Sequence, residues 1–146
     1  MSFNTSKFIG FLFIAMLFAS CKKEGCTDKN ASNYSPDADK DDGTCKFEGQ
    51  IVFWYNEATS LDLFDKGSSS LTFYFDGVIV GSTAADVFWT SAPTCGANAS
   101  ITVTKDMGLA KSKSYTYSVV DDWGDTIWNG TVTLDGNTCL AFQLTY

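Results

Sequence analysis

From Phe47 onward the chain alternates apolar and polar residues with a period of two. Ile51, Phe53 and Tyr55 bracket Val52 and Trp54, and Leu71, Phe73 and Phe75 bracket Thr72 and Tyr74. The same alternation recurs at Ile101/Val103, Tyr115/Tyr117/Val119, Trp128/Val132/Leu134 and Leu140/Phe142/Leu144/Tyr146. Successive side chains of a strand point to opposite faces, so these short runs predict strands with one buried face. Asp76-Gly77 between Phe75 and Val78 predicts a two-residue hairpin turn, because both residues tolerate positive φ. Asp135-Gly136-Asn137 predicts a similar turn, closing a hairpin between the Val132–Leu134 and Cys139–Tyr146 strands. Cys139 is out of phase with Leu140 and Phe142, which predicts a bulge or an offset where that strand starts. No helical period of useful length stands out; Leu61 to Phe64 would make a single turn. The expectation is an all-β fold, an antiparallel sandwich of about 7–8 strands.

The beginning of the chain follows a different pattern. Phe8 to Ala19 is an apolar run of 12 residues, preceded by Lys7 and followed by Ser20 and Cys21. A helix crossing a bilayer needs about 20 apolar residues, so the run is too short to span one. A weakly basic start, a short apolar stretch and small residues form the layout of a secretory signal peptide. Leu17-Phe18-Ala19-Ser20-Cys21 resembles the lipobox of a bacterial lipoprotein. The resemblance implies that residues 1–20 are removed and that Cys21 is lipidated at the new N-terminus. Residues 21–25 would then form a linker. The competing readings are a short buried helix and ordinary secretion with cleavage elsewhere.

Residues 26–46 are different again. Gly25-Cys26-Thr27-Asp28, Ala31-Ser32-Asn33-Tyr34 and Asp41-Asp42-Gly43-Thr44-Cys45 closely resemble a short acidic module of Bacteroidetes surface and secreted proteins. The match implies an extracytoplasmic setting rather than an activity; with the lipobox it implies a lipid anchor in the bacterial outer membrane. Asp, Asn and Gly favour turns, and so few apolar residues need a covalent staple. Residues 47–146 resemble the small immunoglobulin-like or transthyretin-like sandwiches of Bacteroidetes lipoproteins, on Trp128-x-Gly-Thr-Val-Thr-Leu134 followed by Cys139. Folds of this class carry no single activity.

The five cysteines fit this picture. With Cys21 lipidated, Cys26, Cys45, Cys95 and Cys139 remain, and four cysteines allow three pairings. Cys26–Cys45 and Cys95–Cys139 are favoured because each pair lies within one segment of distinct composition. An extracytoplasmic location permits both bridges.

Composition narrows the chemistry. The chain has no His, and all ten of its basic residues are Lys. Imidazole acid–base catalysis, His metal ligation and Arg phosphate clamps are therefore absent. The net charge of −7 becomes −8 when Lys7 leaves with the first 20 residues, which gives no footprint for nucleic acid. Asp37, Asp39 and Asp41 have the spacing of a calcium loop, but Gly43 and Cys45 fall where an EF-hand needs other residues. A looser Ca²⁺ site would use Asp28, Asp39, Asp41 and Asp42; the alternative is a solvated turn-rich loop.

Asp121, Asp122 and Asp125 cluster beside Trp123, yet a small sandwich offers little room for a sugar-cleaving cleft. No nucleophile has a base beside it, so the chain reads as a non-enzyme. Of the four tryptophans, Trp54 and Trp128 could fill the core and Trp128 is favoured there, whereas Trp89 and Trp123 are candidate exposed contacts to a glycan. Asp125-Thr126-Ile127 resembles the O-glycosylation site of Bacteroidetes, which would place sugar on Thr126. The reading is a lipid-anchored envelope protein with a binding or scaffolding sandwich. A carbohydrate-binding or adhesion module and a calcium-stabilised stalk are the alternatives.

Overall fold

A computed structural model describes residues 22–146. Cys21 and the preceding apolar run lie outside the described residues. The described chain forms nine strands and one helix. Two strands pair in parallel: β1 (Glu24–Gly25), at the end of the expected linker, and β2 (Lys40–Asp41) in the acidic module, so residues 24–25 fold with the module. The rest are β3 (Phe47–Trp54), α1 (Glu57–Asp65), β4 (Ser70–Phe75), β5 (Val78–Ala84), β6 (Ile101–Gly108), β7 (Ser112–Asp121), β8 (Thr126–Asp135) and β9 (Cys139–Gln143). They build a three-stranded sheet, β6-β3-β9, and a four-stranded sheet, β5-β4-β7-β8. The all-β sandwich expected from the period-two pattern is present.

Phe53 shows how the sheets meet. From β3 its ring lies 5.7 Å from Phe73 on β4, 5.6 Å from Tyr117 on β7 and 5.9 Å from Phe142 on β9. Tilted and edge-on contacts of this kind suit the ring quadrupoles. Ile51, Leu71, Phe75 and Val119 are fully buried around it. The residues alternating with them on β4 and β7, such as Thr72 and Thr116, face outward. Asp76 and Gly77 both have positive φ, 54° and 76°, and close the β4–β5 hairpin as expected.

Three local expectations are corrected. The first concerns α1, a helix of nine residues where a single turn was expected. Asn56 caps it, its side chain accepting from Thr59 N at 3.0 Å. Gly67 ends it at φ 87°: Gly67 N donates to Phe64 O and Ser68 N to Leu63 O, a Schellman closure. The buried face consists of Thr59, Ser60 and Leu63. Ser60 Oγ donates to Ala85 O at 2.7 Å, so a polar residue occupies a core position and hides the apolar period.

The second correction concerns the end of the chain. β8 and β9 do not form a hairpin. β9 crosses to the other sheet and pairs in parallel with β3, Ile51 opposite Leu140 and Phe53 opposite Phe142. The turn residues bond outward instead: Gly136 N donates to Lys111 O and Asn137 N to Glu48 O. The sandwich is therefore antiparallel except at this one ladder.

The third correction is that Cys139 causes no bulge. The β3–β9 register runs without a shift, and Cys139 occupies the outward phase of the pleat. There it bonds Cys95, with Cα atoms 5.8 Å apart. Segment 85–100 is thereby pinned over the outer face of the three-stranded sheet, the face on which Val52 is fully buried.

Cys26 is bonded to Cys45, with Cα atoms 4.8 Å apart. Both cysteines and Ala31 are buried and join the same apolar cluster as Phe47. Asp28 Oδ2 meets Lys111 Nζ at 2.6 Å, and Lys111 also lies over the Phe47 ring. The acidic module is thus packed on the end of the sandwich that carries the β6–β7 turn.

Candidate functional site

The β7–β8 turn, residues 121–125, is held by a dense set of side-chain hydrogen bonds. Asp121 ends β7 and is buried. Its Oδ2 accepts from Ser68 Oγ at 2.9 Å, and its Oδ1 accepts from Trp123 N at 3.0 Å and Asp125 N at 2.9 Å. Three donors on one buried carboxylate satisfy it and fix the turn. Gly124 supplies the left-handed residue the turn needs, at φ 87°.

Asp122 makes a second clamp. Its carboxylate accepts from Ser69 N at 2.8 Å, Ser69 Oγ at 2.8 Å and Ser70 N at 3.3 Å. These donors, the Ser69 amide first, hold its pKa down at about 2. The two adjacent carboxylates tie the turn to the chain that links α1 to β4. Trp123 completes the junction: its indole Nε1 donates to Gly67 O at 3.0 Å, while 74% of the residue remains exposed.

The other expected contact, Trp89, is placed differently. Trp89 N donates to Tyr55 O at 2.9 Å, and the side chain is half-buried. It lines a narrow apolar crevice of about 10 Å³ with Trp54, Phe53 and Ile101. Trp89 and Trp123 are therefore not brought together. Trp54 and Trp128 are both partly buried, and Trp128 packs against the core cluster. Trp128 lies between Tyr55 and Tyr146, with ring centroids at 6.3 and 5.5 Å, and donates from Nε1 to Thr145 O at 2.9 Å.

No family model, curated protein or solved structure matches this chain. The functional reading therefore rests on its own residues.

The carboxylates of the acidic module do not converge. Asp28 bonds Lys111 and accepts from Asn30 N at 3.0 Å, and the Lys111 contact leads in lowering its pKa. Asp41 accepts from Gly43 N at 2.9 Å. Asp42 accepts from Thr44 Oγ1 and then Thr44 N, which lower its pKa in that order. Asp39 is exposed. These are turn-closing Asx contacts. Among the described residues no three His, Cys, Asp or Glu side chains are grouped to hold a metal ion.

Thr126 is the first residue of β8 and is exposed, accessible to modification. Two shallow grooves flank the seam between module and sandwich. One, of about 240 Å³, is lined by Ser32, Glu48, Gln50 and Asn137. The other, of about 360 Å³, lies beside Asp28, Lys111 and Asp135.

Sequence reasoning singled out Trp123 but missed its setting. Gly67, Ser68 and Ser69 lie more than 50 residues from their partners in the turn. The only local signals were a helix-stopping Gly67 followed by three serines and a turn rich in Asp.

Proposed function

We propose that this chain is a lipid-anchored protein of the cell envelope, in the outer membrane, whose β-sandwich binds or scaffolds a partner without catalysing a reaction. The observation that carries this is the cysteine arithmetic. Cys26, Cys45, Cys95 and Cys139 are consumed in two bridges with each other, which leaves Cys21 alone at the end of the apolar run. Disulfides of this kind belong to oxidising, extracytoplasmic compartments. Lipid on Cys21 together with a second chain gives firm attachment where one chain alone would be marginal.

The non-catalytic half of the reading rests on how the carboxylates beside Trp123 are used. Asp121 and Asp122 accept hydrogen bonds from the protein itself, so they serve the shape of the turn. A carbohydrate-binding or adhesion role is the second reading, favoured by the exposure of Trp123. Trp89, the other candidate contact, is half-buried and does not add its ring to this exposed site. Sugar carried on exposed Thr126 is compatible with either role.

Fractionation of cells producing the full chain or Cys21→Ala tests the anchor. The full chain is expected in the membrane fraction and the variant in the soluble extracytoplasmic fraction. Identical partitioning of the two would overturn the reading.

A further inference from the structure

We propose that the outer face of α1 and the β7–β8 turn together form a docking surface for a cationic, lysine-bearing segment of another envelope protein, anchored on the ring of Trp123. The inference rests on the binding role proposed above but is independent of the lipid anchor.

Three apolar side chains project here. Leu61 and Phe64 stand one turn apart on the solvent face of α1, 59% and 48% exposed. Trp123 is joined to the end of that helix through Gly67, whose amide is itself bonded to Phe64 O. Single exposed apolar residues are ordinary, whereas here the Trp123–Gly67 and Gly67–Phe64 bonds bring exposed rings to the same end of the helix. Tryptophan is also the residue that most often dominates such surfaces.

The ring is held before any partner arrives. Its Nε1 is committed to Gly67 O, and its backbone is fixed by buried Asp121. Little freedom remains to be lost on binding. Because the indole N–H is already used, the ring offers its π face, which attracts apolar groups and, above all, cations.

Charge selects between those two. Glu57, Asp62 and Asp65 are exposed on α1, and Asp122 and Asp125 flank Trp123. The neighbouring cation, Lys66, is engaged with its ammonium 3.2 Å over the Tyr146 ring. Asp65 closes a helix whose last turn has no basic residue, where the macrodipole disfavours a carboxylate. An apolar anchor in a negative field is complementary to a chain that alternates lysine with apolar residues. It repels acidic peptides and anionic lipid surfaces.

Calorimetry of the full chain with a ten-residue Lys-Leu alternating peptide tests this, with the Glu-Leu peptide and a neutral glucan hexasaccharide as controls. Binding of the Lys-Leu peptide alone is expected, weakened at least tenfold in Trp123→Ala and largely kept in Trp123→Phe. The double variant Asp62→Asn/Asp65→Asn, which leaves the turn untouched, should flatten the salt dependence of binding. No binding of the Lys-Leu peptide, or equal binding by Trp123→Ala, would overturn the inference. Hexasaccharide binding that is lost in Trp123→Ala would also overturn it, while leaving the broader binding role and the sugar reading standing.

Discussion

Ser68 and Asp121, 53 positions apart in the chain, meet through a 2.9 Å hydrogen bond between two buried side chains. This contact closes the junction of helix, linker and turn that presents Trp123. Removing the carboxylate would orphan the Ser68 hydroxyl and two backbone amides. Asp121→Ala is expected to destabilise the fold by about 2–3 kcal/mol. Asp121→Asn should cost less, because its amide oxygen still accepts from the backbone and its nitrogen can donate to Ser68. Urea unfolding of the three proteins checks the order.

The two bridges should differ in reach. Cys95–Cys139 spans 44 positions and links the covering segment to β9. Replacing both cysteines with Ser is expected to cost about 4 kcal/mol in the chain-entropy model. Cys26–Cys45 spans 19 positions inside the acidic module. Its loss, about 3 kcal/mol in the same model, should fall mainly on that module. Hydrogen exchange separates the cases: amides of β3 and β9 lose protection in the first variant and keep it in the second.

Gly49 lets the sheets approach. A Cβ there would lie 2.9 Å from Leu134 Cβ and 3.1 Å from Asp135 O, a backbone atom that cannot swing aside. Gly49→Ala is expected to destabilise by about 1–3 kcal/mol through overpacking. Gly43→Ala meets no such contact, and any cost there comes only from its positive φ of 74°. Thermal melts of the two variants distinguish steric from conformational strain.

The pH dependence has one arm in acid and one in base. Asp122 ionises at about 2 in the folded chain instead of its ordinary 3.8. Its contribution is complete above about pH 4 and is lost as the pH falls through 2. Tyr55, pushed up to about 12 by burial and then by the charge of Asp86, behaves in the opposite sense. The folded protein keeps that phenol neutral while the unfolded chain ionises near 10, so stability falls as the pH rises from 10 through 12. Asp122→Asn should remove the first dependence, and phenolate absorbance should report the second.

Much of the sandwich was legible because the buried residues of strands such as β4 alternate with less buried ones. Leu71, Phe73 and Phe75 announce β4 directly, and Asp76-Gly77 names its turn. The helix was harder to read because Thr59 and Ser60 face the core while Leu61 and Phe64 face water. Its end signals, Asn56 and Gly67, were present eleven positions apart without a matching apolar stripe. The pairing of β9 was not legible either. The residues 135–137 signal a turn, but the choice of sheet depends on amides bonding to Lys111 and Glu48, far away in sequence. Trp123 stood out by type, whereas the donors that orient it come from a distant loop that carries no mark of its partner.

The central claim is that the chain is held at the membrane through Cys21. The most direct test is the intact mass of the protein extracted from membranes of cells producing the full chain. The expected mass is that of residues 21–146 with two disulfides and lipid added at Cys21. A chain that retains residues 1–20, or one cleaved elsewhere and carrying no lipid, would contradict it.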